Sequence, residues 1–483
     1  MAIDTACPLI YLACEMKTFP IFSTRTKLIN KHRDLRSRCL LTTFVRRRRA
    51  KVVKIILLIN FIFFLVTSGP LFAQEGGFIA VEGPYLVKNG RPYHFLGANL
   101  WYGMFLGSEG PGGDRERLIR ELDRLQSMGI DNLRVMAGSE GPENEPYRVH
   151  PALQNKPGKL DRELLEGLDF LMVEMKKRDM SAVLVLNNFF QWSGGMAQYV
   201  SWATGRKIPY PHEEGHSWDE FQRFSAQFYS DEKAQRIFRT FIKNLVLRRN
   251  SISGMKYRDD PTIMSWQLAN EPRGFGQGEH YVRWADKTAG FIQSLDPNHL
   301  VSLGGEGKTS SDHAGTDFEN VSKSEHFDYL TAHLWIENWS WYDPTVPETF
   351  GPALENALAY LQDHTGIARK LNKPLVVEEF GVSRDQRDYQ PDAPVVLRDR
   401  FFRTFFEAVY QLASENQPLA GCNFWCWSGE ARPRDPGGFW KKGDPYTGDP
   451  PHESQGWYSV YDTDESTLGI IREYCGKIAG IGK

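Results

Sequence analysis

Cysteine is scarce in this chain, and the few cysteines present lack the spacing of a metal site. Six occur in 483 residues, and three of them precede residue 40. The other three, Cys422, Cys426 and Cys475, are an odd number and include no Cys-x-x-Cys pair. This pattern predicts neither a disulfide framework nor a zinc site. We therefore expect buried free thiols.

Nucleotide-binding motifs and positive charge are also lacking from most of the sequence. No GxGxxG sequence follows a first strand, and no GxxxxGK[ST] loop occurs, so nucleotide binding has no support. Residues 1–73 hold 13 of the 58 Lys and Arg but only 3 of the 60 Asp and Glu, which leaves residues 74–483 with 45 basic and 57 acidic side chains. This acidic body argues against nucleic acid or an anionic membrane surface as a partner.

The basic N-terminal part has the pattern of a targeting sequence. An arginine run at 46–49 precedes an apolar stretch at 55–66, which is short for a bilayer span. Leu71-Phe72-Ala73 then forms a suitable cleavage site before Gln74. This pattern predicts a signal peptide at 51–73 and a secreted, periplasmic or extracellular protein without stable membrane insertion after cleavage.

Two questions about this N-terminal part stay open. An uncleaved membrane anchor is the alternative to a signal peptide, because the apolar stretch can be extended to residue 73. The basic leader at 1–50 does not belong to a signal peptide, and we interpret it as a segment that is not translated in the native protein. Mapping the native N-terminus tests both points.

Strand-like and helix-like segments alternate through residues 74–483, and no linker or low-complexity run divides them. Strands are predicted at 94–100, 131–137, 181–188, 262–270, 299–304, 328–335, 374–379 and 420–426. Helices are predicted at 114–128, 161–178, 231–249, 279–295, 352–371, 398–414 and 466–478, with a short connection around 317–326. Eight such repeats favour one α/β domain, a closed (β/α)8 TIM barrel, over an open doubly wound sheet. A hairpin at 85–93, with its turn at Asn89-Gly90, is expected before the barrel.

Carboxylates stand at the ends of two predicted strands, where barrel enzymes place their chemistry. The strand at 262–270 runs into Asn270-Glu271-Pro272, and the proline stops the strand at that point. The strand at 374–379 ends in Glu378 and Glu379. Side chains alternate along a strand, so only one of these two glutamates can point into the barrel mouth. Periodicity alone does not choose between them.

Two carboxylates on opposite sides of a barrel mouth are the apparatus for glycoside hydrolysis. At a separation of about 5 Å, one attacks the anomeric carbon and the other protonates the leaving oxygen, with net retention of configuration. The nucleophile has to be ionised and the acid protonated, so their surroundings must separate their pKa values.

The motifs Asn270-Glu271-Pro272 and Glu379-Phe380-Gly381 resemble those of glycoside hydrolase family 5, and the resemblance extends over 78–478. By the family pattern it implies Glu379 as the nucleophile and Glu271 as the acid/base. It also implies substrate-site roles for Arg134 beside the nucleophile, Asn270 at the sugar 2-hydroxyl, and His333 near the acid/base. Trp425 resembles the platform under the sugar at the cleavage point. Many members have tyrosine where Trp335 stands, which puts a hydroxyl contact to the nucleophile in doubt.

Other residues resemble those of the mannan endo-1,4-β-mannosidase subgroup. These are Arg273 and Glu306, on the leaving-group side, and Asn188 with Trp192 in an aromatic, glycine-rich loop after the strand at 181–188. Cellulases of the family usually carry a histidine near that strand, and none occurs there. Further tryptophans in predicted βα loops suit sugar stacking; they are Trp101, Trp339 and Trp341. Whether Trp427 is a second platform or packing stays open.

The resemblance therefore implies a retaining enzyme that cuts β-1,4-mannosidic bonds inside mannan, glucomannan or galactomannan. An endo-β-1,4-glucanase or an exo-acting mannosidase needs the same two glutamates, and a catalytically silent glycan-binding barrel is the alternative from another class. No metal or cofactor is expected, because protonation and a covalent intermediate supply the catalysis. The expected partner is the polysaccharide alone, and the expected state is a monomer.

Overall fold

Parallel strands and helices alternate through the part of the chain that the structure describes, residues 77–481 of a computed structural model. The predicted leader at 1–50 and signal peptide at 51–73 lie outside the described residues. The strands are β1 (Ile79–Glu82), β2 (Tyr85–Lys88), β3 (Arg91–Pro92), β4 (Phe95–Asn99), β5 (Asn132–Met136), β6 (Gln154–Lys156), β7 (Lys159–Leu160), β8 (Ser181–Val185), β9 (Ile263–Gln267), β10 (Leu300–Ser302), β11 (Leu330–Leu334), β12 (Leu375–Phe380), β13 (Leu419–Phe424), β14 (Trp427–Gly429) and β15 (Val460–Tyr461). The helices are α1 (Gly103–Leu106), α2 (Arg115–Ser127), α3 (Arg162–Lys177), α4 (Gly195–Thr204), α5 (Trp218–Ala226), α6 (Glu232–Val246), α7 (Gly278–Leu295), α8 (Phe318–Val321), α9 (Phe350–Leu371), α10 (Val396–Ser414) and α11 (Glu465–Ile478).

Eight of these strands form one parallel sheet, in the order β10, β9, β8, β5, β4, β13, β12, β11. The two end strands close the ring through hydrogen bonds of flanking residues. The Asp328 N–H donates to the Val301 carbonyl (2.9 Å), and the His333 N–H donates to the Glu306 carbonyl (3.2 Å). The Thr331 hydroxyl donates to a third carbonyl, that of residue 305 (2.9 Å). The predicted (β/α)8 barrel is confirmed.

The segment after β8 differs from its prediction as a glycine-rich loop, because it contains the helices α4 and α5. Gly194 and Gly195 begin α4 with φ values of 90° and 62°, which suit glycine. Ser217 caps α5, because its hydroxyl accepts a hydrogen bond from the Glu220 N–H (3.2 Å). The helices bury residues such as Tyr199 and Phe221 against the barrel.

The predicted hairpin at the start is present and has a third strand, β1, paired with β2. Asn89 and Gly90 both have positive φ, 54° and 71°, as a two-residue hairpin turn requires. Ile79 and Leu86 of this small sheet pack in one buried cluster with residues from the barrel strands, among them Phe95. The N-terminal sheet therefore covers the end of the barrel away from the ends of the strands that carry Glu271 and Glu379.

Aspartates begin several of the barrel helices. The carboxylates of Asp114, Asp161 and Asp231 accept hydrogen bonds from N–H groups at the starts of α2, α3 and α6. Each cap gives a partner to backbone N–H groups that have none within the helix. No helix within 77–481 has the length and apolar composition needed to cross a bilayer.

The three cysteines of the described chain are buried free thiols, as predicted. Cys422 lies in β13, Cys426 just after it, and Cys475 in α11. Each packs into the hydrophobic core.

Candidate active site

A cavity of about 400 Å³ opens at the carboxyl ends of the barrel strands. This volume is in the range of small-molecule and oligosaccharide sites. Nine of the side chains that the sequence assigned to catalysis or substrate binding line it: Trp192, Asn270, Glu271, Arg273, Glu306, Trp335, Trp339, Glu379 and Trp425. The cavity therefore collects residues from six different strand ends or following loops.

Glu271 reaches the cavity because the chain turns sharply after β9. Its N–H donates to the carbonyl of Gly304 (2.8 Å), which ties it to the loop after β10. Its φ of 48° lies in the left-handed region, which is strained for a residue with a side chain. The side chain is buried, with 8% of its residue surface exposed.

The strand β12 sends its two glutamates in opposite directions. Glu379 lines the cavity, whereas Glu378 points into the barrel interior. The Glu378 carboxylate accepts hydrogen bonds from the Gln267 amide (2.9 and 2.7 Å) and from the Tyr329 hydroxyl (3.3 Å). The alternation that left two candidates in the sequence therefore leaves Glu379 as the glutamate of this pair at the cavity.

A histidine lies between the two cavity glutamates. The Nδ1 atom of His333 is 2.7 Å from Glu271 Oε1 and 3.3 Å from Glu379 Oε2. A shift of register between β11 and β12 at Ala332 and His333 pairs His333 with Glu379. One carboxylate oxygen of Glu271 and one of Glu379 lie within 4.8 Å of each other.

Arg134 of β5 holds Glu379 in place and is itself held by three amides. Its Nη1 donates to Glu379 and to the Asn99 side chain, its Nε to Gln267 (2.8 Å), and its Nη2 to Asn270 (2.8 Å). Arg134 is buried, with 3% exposed. Four directed bonds in a buried setting fix the guanidinium against the carboxylate. Asn99 and Gln267 were not predicted as site residues, although both stand at the ends of barrel strands.

Burial dominates the electrostatics of this group. It raises the pKa of Glu271 above its usual range, against the opposing charges of Arg273 and Arg134. Burial raises the pKa of Glu379 well above its usual range; Arg134 opposes this shift, and the charge of Glu271 adds to it. Burial, followed by the charge of Arg134, holds the pKa of His333 well below its usual range, so His333 is neutral.

Arg273 and Glu306 form a second charged pair in the cavity wall. The guanidinium donates two hydrogen bonds to the carboxylate, from Nε to Oε2 (2.6 Å) and from Nη2 to Oε1 (2.7 Å). Nη1 donates to the Gln222 side chain (2.9 Å). Arg273 also lies over the ring of Phe190, 5.2 Å from its centre. All three guanidinium nitrogens are therefore used inside the protein.

Tryptophans supply the apolar faces of the cavity. Trp335 and Trp425 meet edge to face, with ring centres 6.1 Å apart, and the Trp335 Nε1 donates to Glu271 (3.3 Å). The indole nitrogen of Trp425 is buried and has no hydrogen-bond partner within 77–481. Trp192 and Trp339 line the cavity too.

Two residues assigned to substrate binding lie behind the cavity wall. Trp101 is buried, donates from its indole nitrogen to the carbonyl of Gly448 (2.6 Å), and packs against Trp192. Asn188 is fully buried, and its side-chain oxygen lies 3.3 Å from the Asn270 amide nitrogen. In this structure they support Trp192 and Asn270.

Two further tryptophans that the sequence singled out, Trp427 and Trp341, do not line the cavity. Trp427 is packing, because it is fully buried and its indole donates to Glu121 (2.8 Å). Trp341 packs edge to face against the cavity residue Trp339.

The loop between β14 and β15 contributes cavity residues that the sequence did not reveal. His452, Glu453 and Tyr458 line the cavity. They lie 28 to 34 residues beyond the end of β13, in a segment without strand or helix periodicity. A signal for them was the clustering of aromatic and polar residues in a loop on the catalytic face.

Glu271, His333 and Glu379 also bring three possible metal-ligand atoms within 4.8 Å of one another. Their surroundings favour hydrogen bonding over metal binding. The Nδ1 atom of His333 already lies at hydrogen-bond distance from Glu271, and the guanidinium of Arg134 already contacts Glu379. A cation would lie close to that guanidinium charge. That catalysis needs no metal or cofactor stays a prediction.

Comparison with known proteins agrees with this geometry. Residues 76–483 match the model of a family described as GH family 5 beta-mannosidase-like. A putative mannan endo-1,4-beta-mannosidase 9 of Oryza sativa subsp. japonica is 31% identical over 426 residues, 84% of this chain and 91% of that protein. Mannan endo-1,4-beta-mannosidase 5 of Arabidopsis thaliana is 30% identical over 369 residues, 72% of this chain and 78% of that protein.

A solved structure adds a closer similarity. The crystal structure of a glycoside hydrolase family 5 mannosidase from Rhizomucor miehei is 40% identical and has a TM-score of 0.78. The similarity covers 84% of this chain and 98% of that one. A mutant of the same fungal mannosidase was solved in complex with mannosyl-fructose. The family match covers nearly all of the described residues, so the family predicted from the two glutamate motifs is confirmed: this chain is a glycoside hydrolase and belongs to family 5, in its β-mannosidase-like group.

Proposed function

We propose that this protein is an endo-acting, retaining β-1,4-mannanase with Glu379 as nucleophile and Glu271 as acid/base. The observation that carries the chemistry is the approach of the two carboxylates within 4.8 Å across a cavity of sugar size. Retaining glycosidases hold their carboxyl groups about 5–5.5 Å apart, whereas inverting ones leave room for a water molecule between them. The short separation favours retention.

In the first step, a Glu379 oxygen attacks the anomeric carbon while Glu271 gives its proton to the departing glycosidic oxygen. The bond between the anomeric carbon and that oxygen breaks, and a glycosyl ester of Glu379 forms. In the second step, Glu271 takes a proton from water, and the water oxygen attacks the anomeric carbon and releases Glu379. Both groups return to their starting protonation states.

The two carboxyl groups share one negative charge at the start of this cycle, because a second charge in a buried site is unfavourable. Burial raises the pKa of both carboxyl groups. We assign the negative charge to Glu379. Arg134 donates a hydrogen bond to Glu379, whereas the neutral groups His333 and Trp335 contact Glu271. A direct bond from a guanidinium favours the ionised form.

The substrate assignment is supported by the relatives and by the Arg273–Glu306 pair. Both plant relatives are named mannan endo-1,4-beta-mannosidases. The test is release of reducing sugar from galactomannan, glucomannan and carboxymethylcellulose, with Glu379→Ala as the control for contaminating activity. Release from the mannans is expected. Release from cellulose alone contradicts the mannan assignment, and no release by the folded protein supports a glycan-binding barrel.

An exo-acting β-mannosidase is the second candidate. The fungal structure at 40% identity is named a mannosidase, and the family description is β-mannosidase-like. The first products from mannohexaose separate the two modes. Internal cutting gives mannobiose, mannotriose and mannotetraose and lowers the viscosity of galactomannan early. End-wise cutting gives mannose and mannopentaose from the first minutes, with viscosity falling slowly.

Secretion and a monomeric state complete the proposal. Two points support secretion: the predicted signal peptide, and a proposed substrate that is an extracellular polymer. N-terminal sequencing of the native protein tests cleavage before Gln74 and the interpretation of the basic leader. Light scattering of the purified protein tests the monomer.

A further inference from the structure

We propose that a row of aromatic side chains outside the cavity binds additional sugar units of a β-1,4-linked mannan chain. The aromatic row consists of Phe190, Trp218, His212, Phe439 and Tyr147. This inference rests on the proposed function and adds a distal binding surface to it.

The aromatic row is continuous with the cavity. Phe190 and Trp218 line the cavity, and their ring centres are 6.1 Å apart. From Trp218 the row continues to His212 (5.4 Å), then to Phe439 (5.1 Å) and Tyr147 (4.7 Å from His212). The row therefore leads several rings away from the two glutamates, farther than a single sugar at the cleavage point requires.

The row also exposes aromatic surface to solvent. Trp218 is 40% exposed and Phe439 is 39% exposed, and they are the two aromatic members of the six large hydrophobic side chains that are exposed within 77–481. Both belong to one cluster beside the cavity. Exposed apolar surface concentrated next to a site marks binding. The apolar C–H faces of pyranose rings pack well on aromatic rings.

Three segments supply the row, and buried contacts join two of them. Tyr147 follows β5, Phe190 and Trp218 (the first residue of α5) follow β8, and Phe439 lies between β14 and β15. Beside Tyr147, the buried Arg148 donates to the Gln198 side chain of α4 (2.9 Å) and to the Tyr210 hydroxyl. Such contacts hold the rings before a ligand arrives, which lowers the entropy cost of binding.

Two uncharged histidines lie in or beside the row. His212 belongs to the row, and the His452 ring stacks on Phe190. Burial lowers the pKa of His212 and lowers that of His452 to about 3, so both are neutral at neutral pH. The aromatic row therefore carries no charge of its own, which fits an uncharged chain of hydroxylated rings.

The test compares long and short substrates. Phe439→Ala removes an exposed ring outside the cavity, Phe439→Trp keeps an aromatic face, and Ile252→Ala is the matched control. Ile252 is 49% exposed in a loop that precedes β9, at the other end of the barrel. We expect Phe439→Ala to lower kcat/KM for mannohexaose by about threefold to tenfold relative to mannotriose, the size of one aromatic contact. Phe439→Trp and Ile252→Ala are expected to keep the wild-type ratio.

An unchanged ratio in Phe439→Ala, or an equal loss on both substrates, overturns the distal surface while leaving the proposed function intact. If the wild-type protein cleaves neither oligosaccharide, the proposed function itself fails. Calorimetry with the Glu379→Ala protein separates binding from turnover. There, adding Phe439→Ala is expected to weaken mannohexaose binding by the same factor, with little change between low and high salt because the contacts are uncharged.

Discussion

Arg273 donates two parallel hydrogen bonds to Glu306, 2.6 and 2.7 Å long, in the cavity wall. Glu306 is 1% exposed, so its charge depends on this partner. Burial raises the Glu306 pKa, and Arg273 opposes that shift. The pair therefore acts as one unit, because Arg273 keeps a buried carboxylate ionised and fixed in the cavity wall.

Arg273→Met is expected to lower the free energy of unfolding at pH 8 by about 3–5 kcal/mol, because it leaves Glu306 buried and unpaired. The loss is expected to shrink as the pH falls, since the folded variant can then bind a proton at Glu306. Denaturant unfolding at several pH values measures this. The double variant with Glu306→Gln should recover most of the stability.

Lys308→Met, which breaks the exposed pair with Asp363, is the control and should change the free energy of unfolding by less than about 1 kcal/mol. An equal effect in both single variants contradicts the role of burial.

Glu379→Ala is expected to reduce kcat by at least about 10³-fold, because it removes the proposed nucleophile. The variant should still fold, because Arg134 keeps a second buried carboxylate, that of Glu378, 3.8 Å from its Nε. With an activated aryl mannoside, azide should restore product formation with inverted anomeric configuration. NMR of the product identifies that configuration. Glu378→Gln is the matched control, and its main effect should be on stability, through the contacts with Gln267 and Tyr329. Azide rescue of a Glu378 variant in place of the Glu379 variant would reassign the nucleophile.

Glu271→Gln tests the proposed acid/base through the pH profile. The rate requires a protonated Glu271, so activity is lost as the pH rises through its pKa, which burial places above the usual range. The variant should lose this basic limb and about 10²- to 10⁴-fold of kcat on mannohexaose. Formation of the covalent intermediate from dinitrophenyl mannoside, whose leaving group needs no proton, should be nearly unaffected. A basic limb that persists in the variant assigns it to another group.

His364 is expected to make the protein less stable in acid. Its Nδ1–H donates to the Tyr360 carbonyl (2.8 Å) and its Nε2 accepts from the Lys308 N–H (2.8 Å), so the ring has to be neutral. Burial lowers its pKa from 6.5 to about 4. The unfolded chain then binds the proton first, and stability falls as the pH drops from 6.5 to about 4, by about 3 kcal/mol from this group.

Thermal melting of the wild type and His364→Gln over pH 4 to 8 measures that contribution. The variant is expected to be less stable at pH 8, because glutamine cannot keep both hydrogen bonds, but to lose less on acidification. Parallel pH curves for the two proteins exclude His364 as a source. His313→Gln is the control, since His313 is exposed.

The barrel was predictable because its strands are short apolar runs that alternate with amphipathic helices, and each predicted strand overlaps an observed one. The helices α4 and α5 were missed because glycines begin one and a polar, proline-containing stretch separates the two. Predicting the existence of a loop does not reveal its local helices, which depend on caps such as Ser217 and on packing against the barrel.

The site was predictable where residues stand on strands and less so in loops. Glu271 and Glu379 are close to strand ends, so their meeting follows from the barrel. Periodicity did not choose between Glu378 and Glu379; the family resemblance implied Glu379, which is the one that lines the cavity. Glu453 reaches the cavity from a long irregular loop, which no periodicity predicts. Trp101 is of a residue type that suits sugar stacking, but it packs behind Trp192.

The hydrogen bond that joins β10 to β11, from the His333 N–H to the Glu306 carbonyl, connects the two halves of the site through the backbone. His333 contacts Glu271 with its ring, while Glu306 carries Arg273. A change in the backbone position of either residue therefore moves both side-chain contacts, the imidazole against Glu271 and the carboxylate that binds Arg273.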